Sequence, residues 1–477
     1  MTAPAFNTTT TFNRLGNKML PVFTGKLLPI FFLTIIMVLY SRKLSYYDYG
    51  KFQTVWLYCN IISVVISFGL SAMILSTSYG YFGQFIKNNK TKVLMSYGLG
   101  TVTTFVIFFF TTSHFSPHTR LLLVAFILLQ SACTLTDTLL IKNNHLRVYL
   151  WVNLIYTLLF FAIHLYFFYE QFSLDKLIIG ITCLSAFKAA AIFLVKQKHS
   201  TQVAGAPPDR FVMNWIFVGS NEIAGIIARW LDKLFLLYLL APAQFAIFFN
   251  GAFDIPLFGI LISAMENIML TNISADILNR QAAKNIFRES FKILSLIAFP
   301  LFFFLLSMHE EGFAIIFKNK YNASLPVFLV SIFIIPVRIT HYGVILQCYG
   351  QSQKIVAGSL MDIVLSLLLM LILYPLLGTP GVALAIVIST YLQAAYYLWQ
   401  SAKLMQVSIA ALLPVNFLLK LFVSLAAGYG LLYFVKDFLI DMTALVAGTV
   451  ITILVIGAGL VTYWKKNIAA GSTGVTS

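Results

Sequence analysis

A small set of ionisable side chains stands inside stretches that are otherwise apolar, and these are the residues that could do chemistry. Arg229, Asp232 and Lys233 lie together in one such stretch. Arg229 and Lys233 are spaced i, i+4 and share a helix face. An arginine there suits bidentate contact with an oxyanion. Two readings are open: the bases hold an anionic ligand, or Asp232 neutralises one of them and the cluster fixes helix packing. Lys26 stands about six residues, roughly 9 Å, inside the first apolar run. It either faces an internal cavity or snorkels to the surface. Arg338 follows Pro336 and is a further cavity base, or the partner of a buried acid such as Asp362. Lys188 is nearer a helix end, which favours snorkelling.

The acids in apolar stretches are Asp137, Glu222, Asp254, Glu266 and Asp362. Each could bind a coupling proton or cation, or serve as partner to one of the bases. Asp137 and Glu266 fall towards helix ends, so Glu222 and Asp254 are better placed for coupling. His164 and His341 read as packing or interfacial residues, since no metal-ligand spacing surrounds them. No metal, cofactor or nucleotide site is expected, and no phosphate-binding loop is present.

These side chains need elements to position them, and composition says which. Of 477 residues, 60% are hydrophobic and 10% charged. A soluble chain carries roughly 25% charged residues. The excess falls in repeated apolar runs of about 20 residues, the length that crosses a bilayer. Such runs must be helices or a closed barrel, because lipid leaves no partner for an unpaired backbone group. The runs are continuous rather than alternating, which excludes a barrel. The predicted fold is an all-α polytopic membrane protein. Cys59, Cys133, Cys183 and Cys348 lie in apolar runs without a CxxC pair and read as packing residues. The net charge of +16 sits mostly in loops, where basic residues set topology. It therefore does not point to nucleic acid.

Fourteen spans are predicted. The first six run over 20–41, 52–78, 93–112, 119–141, 147–169 and 174–195. After a polar linker the next six run over 212–240, 244–270, 289–307, 325–346, 355–376 and 380–401. Two more lie at 411–435 and 442–464. The expected organisation is an N-terminal tail over 1–19, a first six-helix bundle over 20–195 and a linker over 196–211. A second bundle over 212–401, a helix pair over 402–464 and a tail over 465–477 complete it. With the N-terminus inside, eighteen basic residues fall on the cytoplasmic side and eight on the other. That asymmetry puts both termini in the cytoplasm. No loop between spans is long enough for a folded domain, so function must reside among the helices. Pro29, Pro256, Pro300 and Pro336 lie inside spans and permit kinks. Trp56, Trp399 and Trp464 lie near span ends and read as interfacial anchors.

The two sets of six show a weak internal repeat. Leu44-Ser45-Tyr46-Tyr47-Asp48-Tyr49-Gly50-Lys51-Phe52 and Leu240-Ala241-Pro242-Ala243-Gln244-Phe245-Ala246-Ile247-Phe248 each follow the first span of their set. Leucine, an aromatic, a small residue and phenylalanine recur in register. Paired halves around a central site are a common transporter plan.

The same stretch resembles the L-x-x-x-[DE]-[YF]-G-x-[YF] signature of the polysaccharide transporters (Wzx type). These belong to the larger group that also holds lipid II flippases and multidrug exporters. Asp232-Lys233-Leu234-Phe235-Leu236 resembles that family's seventh span, and the segment from Phe317 to Val327 its loop before the tenth. Gly381-Val382-Ala383-Leu384-Ala385 resembles the start of the twelfth. Ala241-Pro242-Ala243-Gln244 departs from the Gly-Pro and later Gly-x-Tyr often found there.

The resemblance implies two six-helix bundles in a V around a central cavity. It implies a substrate made of a sugar chain on a polyprenyl pyrophosphate, carried from the cytoplasmic to the outer leaflet of a bacterial inner membrane. On that reading Lys26, Arg229, Lys233 and Arg338 line the cavity and hold the pyrophosphate. Asp232, Glu222, Asp254 and Asp362 pair with them or couple an ion. Membrane lipids, and possible polysaccharide polymerase or ligase proteins, would be the partners. The alternative within the same fold is a cation-coupled exporter of small organic molecules. A membrane enzyme is disfavoured, since the outer acids Glu310 and Glu311 beside His309 lack any catalytic motif.

Overall fold

The computed structural model describes the chain apart from residues 1–7, 77–90, 92–94, 96, 107–114, 171, 192–210, 253–255, 276–277, 437 and 473–477. Asp254, most of the linker and parts of the expected third span and both tails lie outside the described residues. Among the described residues the regular structure is helical, with no strand.

The chain divides into two compact units, 1–246 and 247–477. In the first unit the helices are α1 (Thr8–Lys43), α2 (Tyr46–Ser67), α3 (Leu70–Ser76) and α4 (Pro117–Lys142). They are followed by α5 (Leu146–Tyr169), α6 (Leu174–Ala190) and α7 (Phe211–Leu237). A short helix, α8 (Pro242–Gly251), spans the division. The second unit continues with α9 (Pro256–Ala275), α10 (Arg280–Ser307), α11 (His309–Phe317), α12 (Leu325–Ser331) and α13 (Val344–Cys348). It ends with α14 (Ser352–Leu377), α15 (Thr379–Met405), α16 (Ile409–Leu412), α17 (Val415–Lys436) and α18 (Asp441–Ser472).

Eight of the predicted spans coincide with helices long and apolar enough to cross a membrane: those on α1, α4, α5, α10, α14, α15, α17 and α18. The protein is an all-α polytopic membrane protein. Three of the remaining predicted spans, the second, seventh and tenth, show features of their own among the described residues. The second is broken at Phe68 and Gly69, both at positive φ. The seventh, α7, carries Glu222, Arg229, Asp232 and Lys233. The tenth is unwound over residues 335–343.

The signature stretch at the start of α2 is a helix start built for close packing. Ser45 caps the helix by accepting the Asp48 N–H at 3.0 Å, and its hydroxyl donates to Asp48 Oδ2 at 2.7 Å. The first of these bonds satisfies one of the backbone donors that a helix N-terminus leaves orphaned. Tyr49 and Phe52 are buried, and Gly50 lies against the Pro242 carbonyl, where a β carbon would clash. The repeat partners Phe245, Ala246 and Phe248 are likewise fully buried. In the second unit Gly378, at φ 64°, turns α14 into α15. Gly381 then sits against the Leu373 carbonyl, again with no room for a β carbon. The small residues of that motif let two antiparallel helices meet at backbone distance.

The first unit packs α1 on α5, α4 on α6, and α2 on both α4 and α7. An aromatic cluster fills its interior. Tyr40 stacks edge-on against Phe52 and His164, and Trp56 against Phe126 and Phe160. His164 is buried, with its Nδ1 3.1 Å from the Tyr40 hydroxyl. That confirms a packing role for His164. Trp56 belongs to this buried cluster and is not an interfacial anchor, whereas Trp399 and Trp464 are exposed.

Lys188 corrects its sequence reading. It does not snorkel; it is buried between α4, α5 and α6. Its Nζ lies 2.7 Å from Asp137 Oδ2 and donates to Asn153 Oδ1 at 3.0 Å, while Asn153 Nδ2 donates to Asp137 Oδ1 at 2.9 Å. The ammonium also stands 4.8 Å from the Tyr156 ring centre. Three helices thus share one closed polar ring. Removing one member strands a charge, whereas removing both does not. Lys188→Met is expected to destabilise the purified protein by about 3 kcal/mol. The double substitution Lys188→Met with Asp137→Leu is expected to recover most of that loss. Thermal unfolding in detergent checks both.

Candidate functional site

The described site candidates fall in both units. Lys26, Glu222, Arg229, Asp232 and Lys233 belong to the first, and Arg338 and Asp362 to the second. In α7, Asp232 and Lys233 are both buried and pair with each other, Nζ to Oδ2 at 2.8 Å. The Lys233 ammonium also lies 5.5 Å from the Trp230 ring centre. Arg229, one helical turn earlier, is exposed, and no described carboxylate forms an ion pair with it. The acid that could have neutralised Arg229 is therefore committed to Lys233. Lys26 is exposed on α1. Its neighbour Gly25 is buried against the Tyr149 ring of α5. A turn of about 100° per residue carries Lys26 off that packed face.

Glu222 serves the break in the second span. At Phe68 (φ 40°) and Gly69 (φ 71°) the helix stops and restarts as α3, leaving backbone groups without intrahelical partners. The Glu222 carboxylate accepts the Gly69 N–H. The Trp215 indole donates to the Phe68 carbonyl at 2.8 Å, and the two rings meet edge to face. Gly219 lies so close to Gly69 that a β carbon on either would clash. α7 therefore seals the break with one acid, one indole and one glycine.

The second unit contains the unwound part of the tenth span. Pro336 lies within it, and the backbone of 335–343 makes turns rather than a helical ladder. Tyrosine hydroxyls take up carbonyls freed by the break. Tyr391 donates to Phe333 O at 3.0 Å and Tyr342 to Val337 O at 2.7 Å. Non-helical backbone at membrane depth is tolerated only where protein or a water-lined cavity satisfies it. Arg338 stands on this segment, half-buried, and acts electrostatically on Asp362 of α14, which also contacts Ser389 of α15.

Three further pairs were not legible as such in the sequence. His341 Nε2 lies 3.4 Å from Glu266 Oε1. Lys436 at the end of α17 meets Glu311 of α11 at 2.8 Å, buried on both sides. The third is the Lys188–Asp137 pair of the first unit. Each joins residues far apart in the chain, so no local spacing announces them. After this accounting Lys188, Lys233 and Lys436 are neutralised. Lys26 and Arg229 on helices of the first unit, and Lys420 on α17 of the second, are exposed and form no ion pair among the described residues. Each is able to engage an anion such as a phosphate or carboxylate group.

No protein-family sequence model matches the chain, and no curated protein matches it by sequence. Solved structures do. A lipid II flippase, MurJ, in an inward closed conformation superimposes with a TM-score of 0.70 at 14% identity, over 94% of this chain and 99% of that one. An inward-facing multidrug resistance transporter of the MATE family, within the MOP superfamily, superimposes with a TM-score of 0.55 at 12% identity, over 82% of this chain and 98% of that one. Over nearly its whole length, then, the chain is similar in fold to these two membrane transporters.

Proposed function

We propose that this protein is a transporter that flips a polyprenyl-pyrophosphate-linked oligosaccharide from the cytoplasmic to the outer leaflet of a bacterial inner membrane, by alternating access, with both termini cytoplasmic. The observation that carries the reading is that Lys26 and Arg229, both in the first unit, stand exposed with no acid partner among the described residues, as Lys420 of α17 also does, while Lys188 and Lys233 are paired with acids. An intramembrane charge costs about 2.5–3.5 kcal/mol on insertion scales. One left exposed without a partner is a site for a ligand of opposite sign. A pyrophosphate supplies that sign, and a guanidinium can grip it through two parallel hydrogen bonds. The fold likeness to a lipid II flippase favours a lipid-linked substrate of this kind. In this role the protein performs no bond chemistry of its own and would hand its cargo to polymerase or ligase proteins on the outer face.

A second reading, a cation-coupled exporter of small organic molecules, is favoured by the likeness to the multidrug transporter. Its substrates are usually cationic, and exposed bases would repel them.

Reconstitution separates the two. Purified protein in proteoliposomes, given a fluorescent polyprenyl-pyrophosphate oligosaccharide, is expected to accelerate its translocation. Arg229→Ala is expected to reduce the rate by at least about tenfold, consistent with loss of a charge-assisted contact of roughly 1.5–3 kcal/mol. Lys26→Ala is expected to act in the same direction with a smaller effect. Translocation that survives both substitutions would remove these residues from the site. Absence of translocation combined with ion-driven efflux of small organic cations would establish the exporter.

A second prediction concerns salt. Binding of the pyrophosphate lipid to detergent-solubilised protein is expected to weaken as ionic strength rises from 50 to about 500 mM, because exposed charges are screened. Filter binding across that range checks it.

A further inference from the structure

The unwound tenth span holds a pair of titratable groups that the proposed substrate site does not use. His341 lies on residues 335–343, and Glu266 lies on α9 facing it, with Nε2 and Oε1 3.4 Å apart. One turn along α9 from Glu266, Met269 accepts a contact from the Thr340 hydroxyl at 3.9 Å, and that hydroxyl is 2.6 Å from the hydroxyl of Ser290 on α10. The unwound segment is therefore tied to α9 and α10 at two adjacent points. One tie is buried and permanent in character; the other depends on protonation.

The surroundings leave Glu266 and His341 to each other. Glu266 is the charged group that acts on His341. Arg338, on the same segment, acts electrostatically on Asp362 of α14. On α10 the carboxylate of Glu289 is held by Lys292 at 2.6 Å. Tyr342 is bonded to Val337 O, and Tyr391 of α15 to Phe333 O. The imidazole and carboxylate are partly exposed, at 38% and 25%, so water can deliver a proton. His341 Nδ1 has no hydrogen-bond partner among the described residues.

We infer that Glu266 and His341 form a proton-binding site that ties the unwound tenth span to α9 when one proton is shared between them and releases it when that proton leaves. With the proton bound, an imidazolium faces a carboxylate and the two attract. Deprotonation leaves a neutral imidazole beside the carboxylate and a much weaker tie. The proton travels to and from water, with no other reactant. Discontinuous spans are where transporters place coupling ions, because a break can respond to a small local charge change. That the proton drives transport rests on the transporter reading above; the proton site itself does not.

Hydrogen–deuterium exchange on the full-length purified protein tests the site without substrate. Exchange of peptides covering 335–348 would be followed from pH 5 to 9, corrected for the intrinsic pH dependence of amide exchange. In the wild type, protection of this segment is expected to be highest at the acid end of this range and to fall about fivefold as pH rises, the loss of one partly buried ion pair. Glu266→Gln and His341→Gln are each expected to abolish this pH dependence while leaving α14 and α15 protected. A wild type without pH-dependent protection, or a response unchanged in both variants, would overturn the site. If one variant fails to fold, the other still decides, because each removes one half of the pair. Should exchange behave as expected while a proton gradient leaves flipping in proteoliposomes unchanged, the site stands and its coupling to transport falls.

Discussion

Hydrocarbon supplies no hydrogen bonds and almost no dielectric screening, and the architecture depends on that one constraint. Every charge and every freed backbone group within the spans must find its partner in the protein. The first unit meets this with the Lys188–Asp137–Asn153 ring and with the Asp232–Lys233 pair. The second meets it with Lys436–Glu311 and with Arg338 acting on Asp362. Broken backbone is treated the same way. Glu222 and Trp215 satisfy the break at Phe68 and Gly69, and Tyr391 and Tyr342 satisfy the break near Pro336. Against this background an exposed base with no acid partner among the described residues stands out, and Arg229, Lys26 and Lys420 share that condition.

Much of the fold could be read from the chain because lipid makes span length and hydropathy nearly sufficient criteria. The helices α14 and α15 follow their predicted limits closely, and the turn between them lies at Gly378, in the gap between those limits. The breaks were harder to read. The apolar run 52–78 continues without interruption through Phe68, so hydropathy carries no mark of a left-handed backbone there. Pro336 gave a hint of a kink, yet a single proline normally bends a helix rather than unwinding nine residues. What unwinds the segment is the set of outside partners, and those lie on α9, α10 and α15.

The candidate site was legible in kind but not in pairing. Charges within apolar runs were visible at once, and Asp232 was correctly identified as a neutralising acid. Sequence spacing left either base open as its partner; the fold pairs it with Lys233. Lys188 looked like a snorkelling residue because its position in α6 is close to an end, while its acid lies on another helix. The His341–Glu266 pair combines a histidine read as packing or interfacial with an acid read as a coupling or pairing residue near a helix end. Pairing across helices is set by packing, and no local spacing encodes it. The motifs carry a related lesson. Ser45, Asp48 and Gly50, and again Gly381, shape helix starts and backbone contacts, so a resemblance built on them reports the fold more directly than the substrate.

The claim that anion recognition belongs to the unpaired bases, and not to the paired ones, is open to a direct test by native mass spectrometry. Purified protein would be offered an excess of polyprenyl pyrophosphate beside polyprenyl alcohol of the same length. The account predicts that wild type and the Asp232→Asn/Lys233→Gln double variant both retain the pyrophosphate lipid selectively, and that Arg229→Gln loses that selectivity. Equal retention of the two lipids by wild type, or selectivity that survives in Arg229→Gln and vanishes in the double variant, would contradict it.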